Sequence, residues 1–301
     1  MKALIELEEV VVSIKGKRIL KELSLNLSEE KGVLGLIGLN GAGKTSLIKT
    51  IFSCYPLSSG KRYVHEEALA FAMDVPDFPP YLTAEEVLSY SRWLSKKGVK
   101  PASFYQEILR KVGLEGQAKK QVAGFSRGMR QRLGIAAVLV LEPQILFFDE
   151  PTSALDPKGR EDVLAILRDL GQKQLVIFSS HILSDVEQIA QRIVIIHKGS
   201  MLYDGSLQDL IGKKDTRFLV RFTDANLAEK LRMRQEQQGI LLEKEDTFAF
   251  IVQEKELAQL VAQLDQEDLA SLVSISKENA NLQSAFEEVI GKEDSHVSTG
   301  M

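Results

Sequence analysis

The 301-residue chain has one cysteine, Cys54, and lacks any apolar run long enough to cross a lipid bilayer. A single cysteine excludes a disulfide framework and a cysteine-ligated metal cluster, and it fits a reducing compartment. The longest apolar candidate, residues 135–141, ends at Glu142 and Pro143, whereas a membrane-spanning helix needs ~18–20 residues. A role at a membrane therefore requires a partner chain.

A strong charge of either sign is also missing. The formal net charge is −4, which gives no overall attraction to nucleic acid, so we expect no nucleic-acid partner. Residues 1–6 reach Glu6 without the apolar core of a signal peptide, which favours a cytoplasmic protein. The length allows one large domain and a smaller one.

A glycine-rich turn, residues 38–45, joins a predicted strand to a predicted helix. Apolar residues 33–37 indicate a buried strand, and the spacing of apolar residues in 47–52 indicates one face of a helix. This order is typical of a phosphate-binding loop, in which backbone N–H groups and the positive end of the helix hold the phosphates of a nucleotide such as ATP. The predicted cofactor-binding residues of this loop are Asn40, Gly41, Gly43, Lys44, Thr45 and Ser46.

Two side chains of this loop have specific roles in the prediction. Lys44 would reach the β- and γ-phosphates and so act in catalysis, and the hydroxyl of Thr45 would bind Mg²⁺. The alternative is a glycine turn that joins a strand to a helix by chance.

Two carboxylates end the apolar strand predicted at residues 145–148. Buried parallel strands carry polar groups at their carboxyl ends, where a nucleotide binds. Asp149 is therefore predicted to hold Mg²⁺, and Glu150 to be the base for the attacking water. The alternative is an ordinary strand followed by an acidic turn.

His181 follows another predicted strand, residues 175–178. In a parallel sheet it would lie at the same edge as Asp149 and Gly38, within reach of a γ-phosphate. The alternative is a surface histidine without a catalytic role.

Ser126 and Gly128 stand at the start of a predicted helix that runs to about Val140. A hydroxyl, exposed N–H groups and the helix dipole suit an anion at this point. The alternative is simple N-capping by Ser126, because the phosphate loop already supplies one anion site.

The pattern along the chain predicts an α/β fold with a mostly parallel sheet over residues 1–212. Residues 3–14 and 20–27 would form an antiparallel β subdomain, and a helical insert would occupy about 76–140. Glycines at 98 and 113–116 divide this insert into three helices, and Thr83 with Glu86 forms a capping box at the first. Prolines and aspartates predict a loop over residues 71–80.

Residues 213–292 are predicted to form a small α+β domain in the order β-α-β-β-α-β. Its strands include residues 240–242 and 269–275. The polar tail 293–301 is predicted to be disordered.

Five motifs in this order resemble those of the ATP-binding subunit of ATP-binding cassette (ABC) transporters, over about residues 3–212. They are Gly38 to Thr45, Phe125 to Met129, Ile145 to Glu150, Ser153 to Asp156, and His181. The resemblance implies the P-loop NTPase fold of the ABC ATPases and a head-to-tail dimer with two ATP molecules at its interface. Ser126 and Gly128 would then bind the partner's ATP, and Asp156 would lie in the loop that crosses the interface. The implied partners are a second ATPase subunit, identical or related, and a polytopic membrane permease.

Three positions depart from the family's usual residues. Arg127 replaces a glycine in the serine-glycine signature and adds charge near the partner's nucleotide. Asp74 stands where the family has a glutamine, and its carboxylate could still bind Mg²⁺. Ile14 stands where an aromatic residue usually stacks on adenine, so it is the predicted contact for the base.

Residues 282–291 resemble the ending of many exporter-type ABC ATPases whose membrane domain is a separate chain. The alternative is an ordinary amphipathic helix that docks on the small domain. We therefore expect the ATP-hydrolysing subunit of a bacterial ABC exporter, held on the inner face of the cell membrane by its permease. The competing functions are an importer subunit and an ABC ATPase that acts on ribosomes or DNA without a membrane partner.

The departure at Ile14 predicts weak discrimination between bases. Stacking of a base on an aromatic ring contributes ~1–3 kcal/mol, and an aliphatic contact recovers only part of it. We expect comparable turnover of GTP and ATP, measured as phosphate release at equal nucleotide concentrations. A strong preference for ATP would contradict this prediction.

Overall fold

In the computed structural model, the described residues are 3–74, 76–212, 217–236, 243–278 and 281–298. The chain divides into two compact units. The first comprises the residues up to Leu207 together with the chain from Val289 onward, and the second comprises Gln208–Glu288. The domain boundary predicted after residue 212 therefore differs from the observed division, which falls at the start of a helix, Leu207–Gly212.

The first unit alternates strands and helices after an initial pair of strands. In chain order its elements are β1 (Ala3–Ile14), β2 (Lys17–Ser28), β3 (Gly32–Ile37), α1 (Lys44–Ile51), β4 (Ser59–Val64), β5 (Leu69–Ala72), α2 (Ala84–Leu94), α3 (Ala102–Lys111), α4 (Arg127–Leu139), β6 (Ile145–Phe148), α5 (Pro157–Gly171), β7 (Leu175–Ser180), α6 (Leu183–Ile189), β8 (Arg192–His197) and β9 (Ser200–Ser206).

A six-stranded sheet in the order β5-β6-β7-β3-β8-β9 forms the centre of this unit. All neighbours pair in parallel except β8 and β9, which form an antiparallel hairpin. Every residue of β6 and β7 is buried, as expected for parallel strands covered on both faces. The predicted α/β class with a mostly parallel sheet is confirmed.

The loop predicted over residues 71–80 is wrong at its start. Phe71 and Ala72 belong to β5, which pairs with β6 so that Ala72 lies opposite Phe148. A four-residue strand is too short to show a clear alternation of apolar and polar residues. The prolines that follow it favour a loop, so the end of the strand was not recognised. This strand carries Asp74 toward the carboxyl edge of the sheet.

A second, antiparallel sheet has the order β2-β1-β4. Its inner face contributes Leu7, Leu25 and Leu27 to the same apolar cluster as Ile48 of α1 and Phe147 of β6. Strands β1 and β2 were predicted from the sequence, whereas β4 was not. Because the backbone N–H of Lys21 donates to Gly199 O at 2.9 Å, the start of β2 lies beside the turn between β8 and β9.

The helical insert contains the three predicted helices, α2, α3 and α4. The Thr83 hydroxyl accepts a hydrogen bond from the N–H of Glu86, and the Glu86 carboxylate accepts one from the N–H of Thr83, so the capping box is present. The pKa of Glu86 is lowered because the backbone N–H of Thr83, and to a lesser extent the Thr83 hydroxyl, donate hydrogen bonds to the ionised carboxylate.

The second unit contains a four-stranded antiparallel sheet. With the terminal helix, the remaining elements are α7 (Leu207–Gly212), β10 (Arg217–Phe222), α8 (Ala225–Glu236), β11 (Glu243–Asp246), β12 (Ala249–Gln253), α9 (Glu254–Ala262), α10 (Gln266–Ser271), β13 (Leu272–Glu278) and α11 (Leu282–Ser298). The strand order β11-β12-β10-β13 is that of a split βαβ unit.

Two expectations for this region need correction. The strand predicted from residue 269 starts at Leu272, because Asp265 and Asp268 form a capping box that begins α10. The tail predicted as disordered from residue 293 is helical up to Ser298, since no glycine or proline interrupts α11 after Gly291. The strand predicted at 240–242 and residues 299–301 lie outside the described residues.

Among the described residues, no helix is both long and apolar enough to cross a membrane.

Packing of α4 on the segment after β5 can be tested at Gly134. A Cβ there would lie 2.4 Å from Cγ of Pro76, whose ring cannot fold away as a flexible side chain can. Gly134→Ala is expected to lower the free energy of unfolding by about 1–3 kcal/mol, measured by urea or thermal unfolding.

Gly291→Ala is the matched control for this substitution, because Gly291 also lies inside a helix and a Cβ there meets nothing within 4 Å. It should leave stability unchanged or raise it by up to ~1 kcal/mol. Equal effects of the two substitutions would contradict the close approach of Pro76.

Candidate active site

The phosphate-loop sequence folds as a tight connection between β3 and α1. At Gly38, a Cβ would lie 2.3 Å from the backbone oxygen of Ile196, so only glycine fits beside β8. Gly43 has φ = 117°, a left-handed conformation that favours glycine, and it is the N-cap of α1. As a glycine, this N-cap residue has no side chain that could accept hydrogen bonds from the first N–H groups of the helix. The start of α1 therefore offers its N–H groups to an anion.

Lys44, the first residue of α1, is only 6% exposed. Its Nζ donates to the backbone oxygen of Gly38 at 2.8 Å and lies 3.2 Å from Oε1 of Glu150. A buried ammonium group is stable only with such partners. Lys44 thus connects the phosphate loop to the turn after β6.

Asp149, at the end of β6, is buried and accepts hydrogen bonds from two hydroxyl groups. Thr45 Oγ1 donates to Oδ2 at 2.8 Å, and Ser179 Oγ donates to Oδ1 at 2.6 Å. Because β7 lies between β3 and β6 in the sheet, Ser179 stands beside the carboxylate that Thr45 approaches from α1. The carboxylate is therefore fixed from both sides.

Glu150 has φ = 48°, a left-handed conformation that costs a residue with a side chain ~1–3 kcal/mol. Its N–H donates to Ser179 Oγ at 2.9 Å, which stabilises this turn. The carboxylate is held between two groups: Oε1 faces Lys44, and Oε2 lies 2.8 Å from Nδ1 of His181. The structure thus brings Lys44, Glu150 and His181 into one cluster at the carboxyl edge of the sheet.

The donor set of this cluster fits Mg²⁺ that is shared with a nucleotide. Thr45 and Asp149 present a hydroxyl and a carboxylate oxygen next to each other, and Mg²⁺ prefers oxygen ligands. Among the described residues there is no group of three or more His, Cys, Asp or Glu side chains that could hold a metal ion by themselves. Phosphate oxygens and water would therefore complete the coordination of Mg²⁺.

The other predicted site residues lie on separate elements. Ile14 ends β1 and is partly buried against the apolar cluster of the first unit. Ser126 caps α4 by accepting the N–H of Met129 at 3.2 Å, and Gly128 lies in the first turn of that helix. Asp156 caps α5 by accepting the N–H of Gly159 at 3.0 Å.

Asp74 has a partner that the sequence analysis did not foresee. Its Oδ1 accepts a hydrogen bond from the hydroxyl of Ser153, in the turn that follows Glu150. To bind a metal ion through this oxygen, Asp74 would have to release Ser153.

The remaining predicted residues lie in the phosphate loop. Asn40 and Gly41 are exposed, and the backbone oxygen of Ser46 accepts a hydrogen bond from the Thr50 hydroxyl at 2.7 Å.

Ser179 has a role that was not predicted from the sequence: its hydroxyl contacts the carboxylate of Asp149 and the backbone N–H of Glu150. It is fully buried near the end of β7, after four apolar residues. A hydroxyl in that position, next to a strand that ends in Asp-Glu, is the signal that could have revealed it. Two further buried polar residues near the cluster, Thr152 and Asp185, were also missed.

Comparisons with known proteins agree on one family. A family model described as ABC transporter matches residues 20–153. The uncharacterized ABC transporter ATP-binding protein YxlF of Bacillus subtilis (strain 168) is 33% identical over 222 residues, which cover 71% of this chain and 74% of the relative. The bacitracin transport ATP-binding protein BcrA of Bacillus licheniformis is 34% identical over 219 residues, which cover 68% of this chain and 71% of the relative.

Among solved structures, one described as the ATP-binding subunit of an ABC transporter matches with a TM-score of 0.61 and 26% identity. The match covers 70% of this chain and 92% of that chain. Both kinds of comparison thus extend well beyond the phosphate loop.

Two adjacent, fully buried serines provide a matched test of the cluster. Ser179→Ala removes the contacts to Asp149 and Glu150, so we expect the Mg²⁺ concentration for half-maximal ATP hydrolysis to rise by about 10-fold or more, with a lower kcat. Ser180→Ala is the control for the Mg²⁺ dependence, because among the described residues the hydrogen bonds of the Ser180 hydroxyl are to backbone atoms of Ile182 and none is to Asp149 or Glu150.

The measurement is the rate of phosphate release from ATP as a function of Mg²⁺ concentration in both variants. Equal Mg²⁺ dependence in the two variants would mean that Ser179 does not fix Asp149.

Proposed function

Because the chain belongs to the ABC transporter family as an ATP-binding subunit, an ATPase that powers a membrane transporter, we propose that this transporter is an exporter and that the cluster around Lys44 and Glu150 hydrolyses the ATP. The observation that supports the catalytic assignment is the meeting of Lys44, Asp149, Glu150 and His181 at one edge of the sheet. Catalysis would consist mainly of positioning and charge neutralisation.

Lys44 has a double role in this proposal. Its ammonium pairs with Glu150, and a phosphate oxygen that reaches it competes for the same charge. ATP binding would therefore free one oxygen of Glu150 to accept a proton from the attacking water. His181 would keep hold of the other oxygen or contact the γ-phosphate. Thr45 and Asp149 would hold Mg²⁺ through a hydroxyl and a carboxylate oxygen, and the ion would supply positive charge for the phosphate oxygens when bound.

The second half of each ATP site would come from a second ATPase subunit. Ser126, an exposed residue, caps the start of α4, and such a helix start suits an anion. Among the described residues, Ser126 hydrogen-bonds only within its own helix, so its side of the helix end remains accessible to a partner's nucleotide. Arg127, also exposed, would add positive charge to that contact.

Export is supported by the C-terminal helix. The stretch that resembles the ending of exporter-type ATPases forms α11, where Leu282, Ala285 and Phe286 are buried. BcrA, named for bacitracin transport, suggests bacitracin as a first probe.

An exposed aromatic surface on the helical insert supports a protein partner, for which we propose the permease. The rings of Tyr90 and Trp93 stack with centroids 5.6 Å apart and are 49% and 62% exposed. Together with Tyr81, they line a groove of about 470 Å³. Large exposed apolar surfaces mark sites of interaction, and aromatic residues are enriched in them. On this proposal the chain is peripheral to the cytoplasmic face of the membrane.

Glu150→Gln tests the catalytic assignment. The glutamine keeps the size of the side chain but cannot accept the proton, so ATP binding should remain while hydrolysis falls by at least ~100-fold. Because two ATP molecules would then hold the subunits together, we expect a persistent dimer in gel filtration with Mg-ATP. Full hydrolysis by this variant would remove Glu150 from its role.

The transporter assignment is tested by a gentle detergent pull-down of the full chain from its native cell. A co-purified multi-helix membrane protein, reduced in yield by Trp93→Ala but not by Met233→Ala, would support the permease and its docking surface. Met233 is the control because it is similarly exposed (55%) and lies in the second unit. Ribosomes or DNA without a membrane protein would contradict transport.

The direction can be measured with inside-out membrane vesicles that contain the complex. ATP added outside should drive labelled bacitracin into the lumen if the complex is an exporter. ATP-driven loss from preloaded vesicles would instead show import.

A further inference from the structure

A buried ion pair and hydrogen bond lie outside the cluster described above. Asp185, on α6, is 1% exposed, and its Oδ2 accepts a hydrogen bond from the Thr152 hydroxyl at 2.6 Å. Its Oδ1 accepts from Nε of Arg160, on α5. Arg160 also donates to the hydroxyl of Ser184 at 2.9 Å. We call Thr152, Asp185 and Arg160 the α6 anchor.

The α6 anchor joins two segments that each follow a proposed catalytic residue. Thr152 lies two residues after Glu150, and Asp185 lies four residues after His181. Both intervening segments lack regular secondary structure: residues 149–155 form turns, and residues 181–182 precede α6. No strand pairing holds them, so contacts of their side chains and a few turn hydrogen bonds must fix them.

We infer that Asp185 is a positioning residue, which holds the turn after Glu150 against the turn after His181 so that the two catalytic side chains stay within hydrogen-bond distance. This inference rests on the proposed roles of Glu150 and His181. The distance it maintains is the 2.8 Å between Glu150 Oε2 and His181 Nδ1. Through Arg160 the α6 anchor also reaches α5, whose N-cap is Asp156.

Burial explains why this group can control a distance. Thr152 is 2% exposed and Asp185 1%, so neither side chain can exchange its partner for water. A buried carboxylate without its partners is strongly unfavourable, which allows few alternative geometries. A buried ion pair adds little to stability compared with apolar residues of the same size. We therefore relate the α6 anchor to the position of the catalytic side chains and not to the stability of the fold.

Thr152→Val tests the anchor most directly, because it removes the hydroxyl without changing the shape of the side chain. We expect kcat for ATP hydrolysis to fall by about 10- to 100-fold, since misplacement of a catalytic group by an ångström has effects of that size. KM for ATP should stay within about twofold, because the phosphate loop is unchanged. Asp185→Asn should show the same split between kcat and KM.

Two control variants separate this effect from general damage. Thr152→Ser restores the hydroxyl and should recover kcat. Ser184→Ala removes a contact of the same arginine without touching Asp185 or Thr152, so its kcat should stay close to that of the natural protein. Should Asp185→Asn fail to fold, the two Thr152 variants still decide the question.

A double-mutant cycle with His181→Ala gives a result that a merely structural role would not give. If the α6 anchor acts through the contact between Glu150 and His181, Thr152→Val should cost much less when His181 is already absent. Single-turnover assays of the full chain can measure the residual rates. An equal fall in both backgrounds, or an unchanged kcat in Thr152→Val, would overturn the inference.

Failure of the inference and failure of the proposed function give different results. If Glu150→Gln keeps full hydrolysis, the proposed catalytic role falls, and the positioning role that rests on it falls with it. If Glu150→Gln is inactive and Thr152→Val is fully active, the catalytic role stands and only the inference about Asp185 is wrong.

Discussion

One buried hydroxyl holds the centre of the site together. Ser179 donates to the carboxylate of Asp149 and accepts the N–H of Glu150, so a single oxygen fixes both residues that follow β6. It can do so because β7 lies between β3 and β6 in the sheet. The phosphate loop, the acidic turn and the histidine then meet at one edge, although they lie far apart in the sequence.

The polar groups at this edge are held by contacts with one another. Lys44 pairs with Glu150, Glu150 with His181, and Thr45 with Asp149. The apolar strands beneath them are completely buried, so polar groups emerge only where the strands end. Buried charges are stable in such a position only when each has a partner. A new partner for Lys44, such as a phosphate, therefore alters the contacts of Glu150 as well.

The sequence was most informative where residue type and spacing are tied to a local structure. The phosphate loop, the capping box at Thr83 and the apolar strand before Asp149 depend on neighbouring residues, and all three were predicted. Ser179, Thr152 and Asp185 were missed because their roles depend on which strands and helices become neighbours in space. The pairing of Asp74 with Ser153 was missed for the same reason, since these residues are 79 positions apart.

Short or polar elements were the other source of error. β5 has four residues, and α10, which begins after its N-cap Asp265, extends over residues 269–271 of the segment that was predicted as a strand. Local preference alone could not decide either element, because pairing with β6 defines the first and capping by Asp265 defines the second. The helical end of α11 shows likewise that a polar composition does not exclude a helix.

The position of β3 in the sheet also has a consequence for the order of folding. β3 is made within the first 40 residues of the chain, yet both of its neighbours, β7 and β8, lie between residues 175 and 197. During synthesis the phosphate loop must therefore wait until most of the first unit has left the ribosome. Contacts of such large sequence separation slow folding and expose apolar strands in the meantime. A chain truncated before residue 175 would carry the complete glycine-rich motif and still lack both strands that pair with β3.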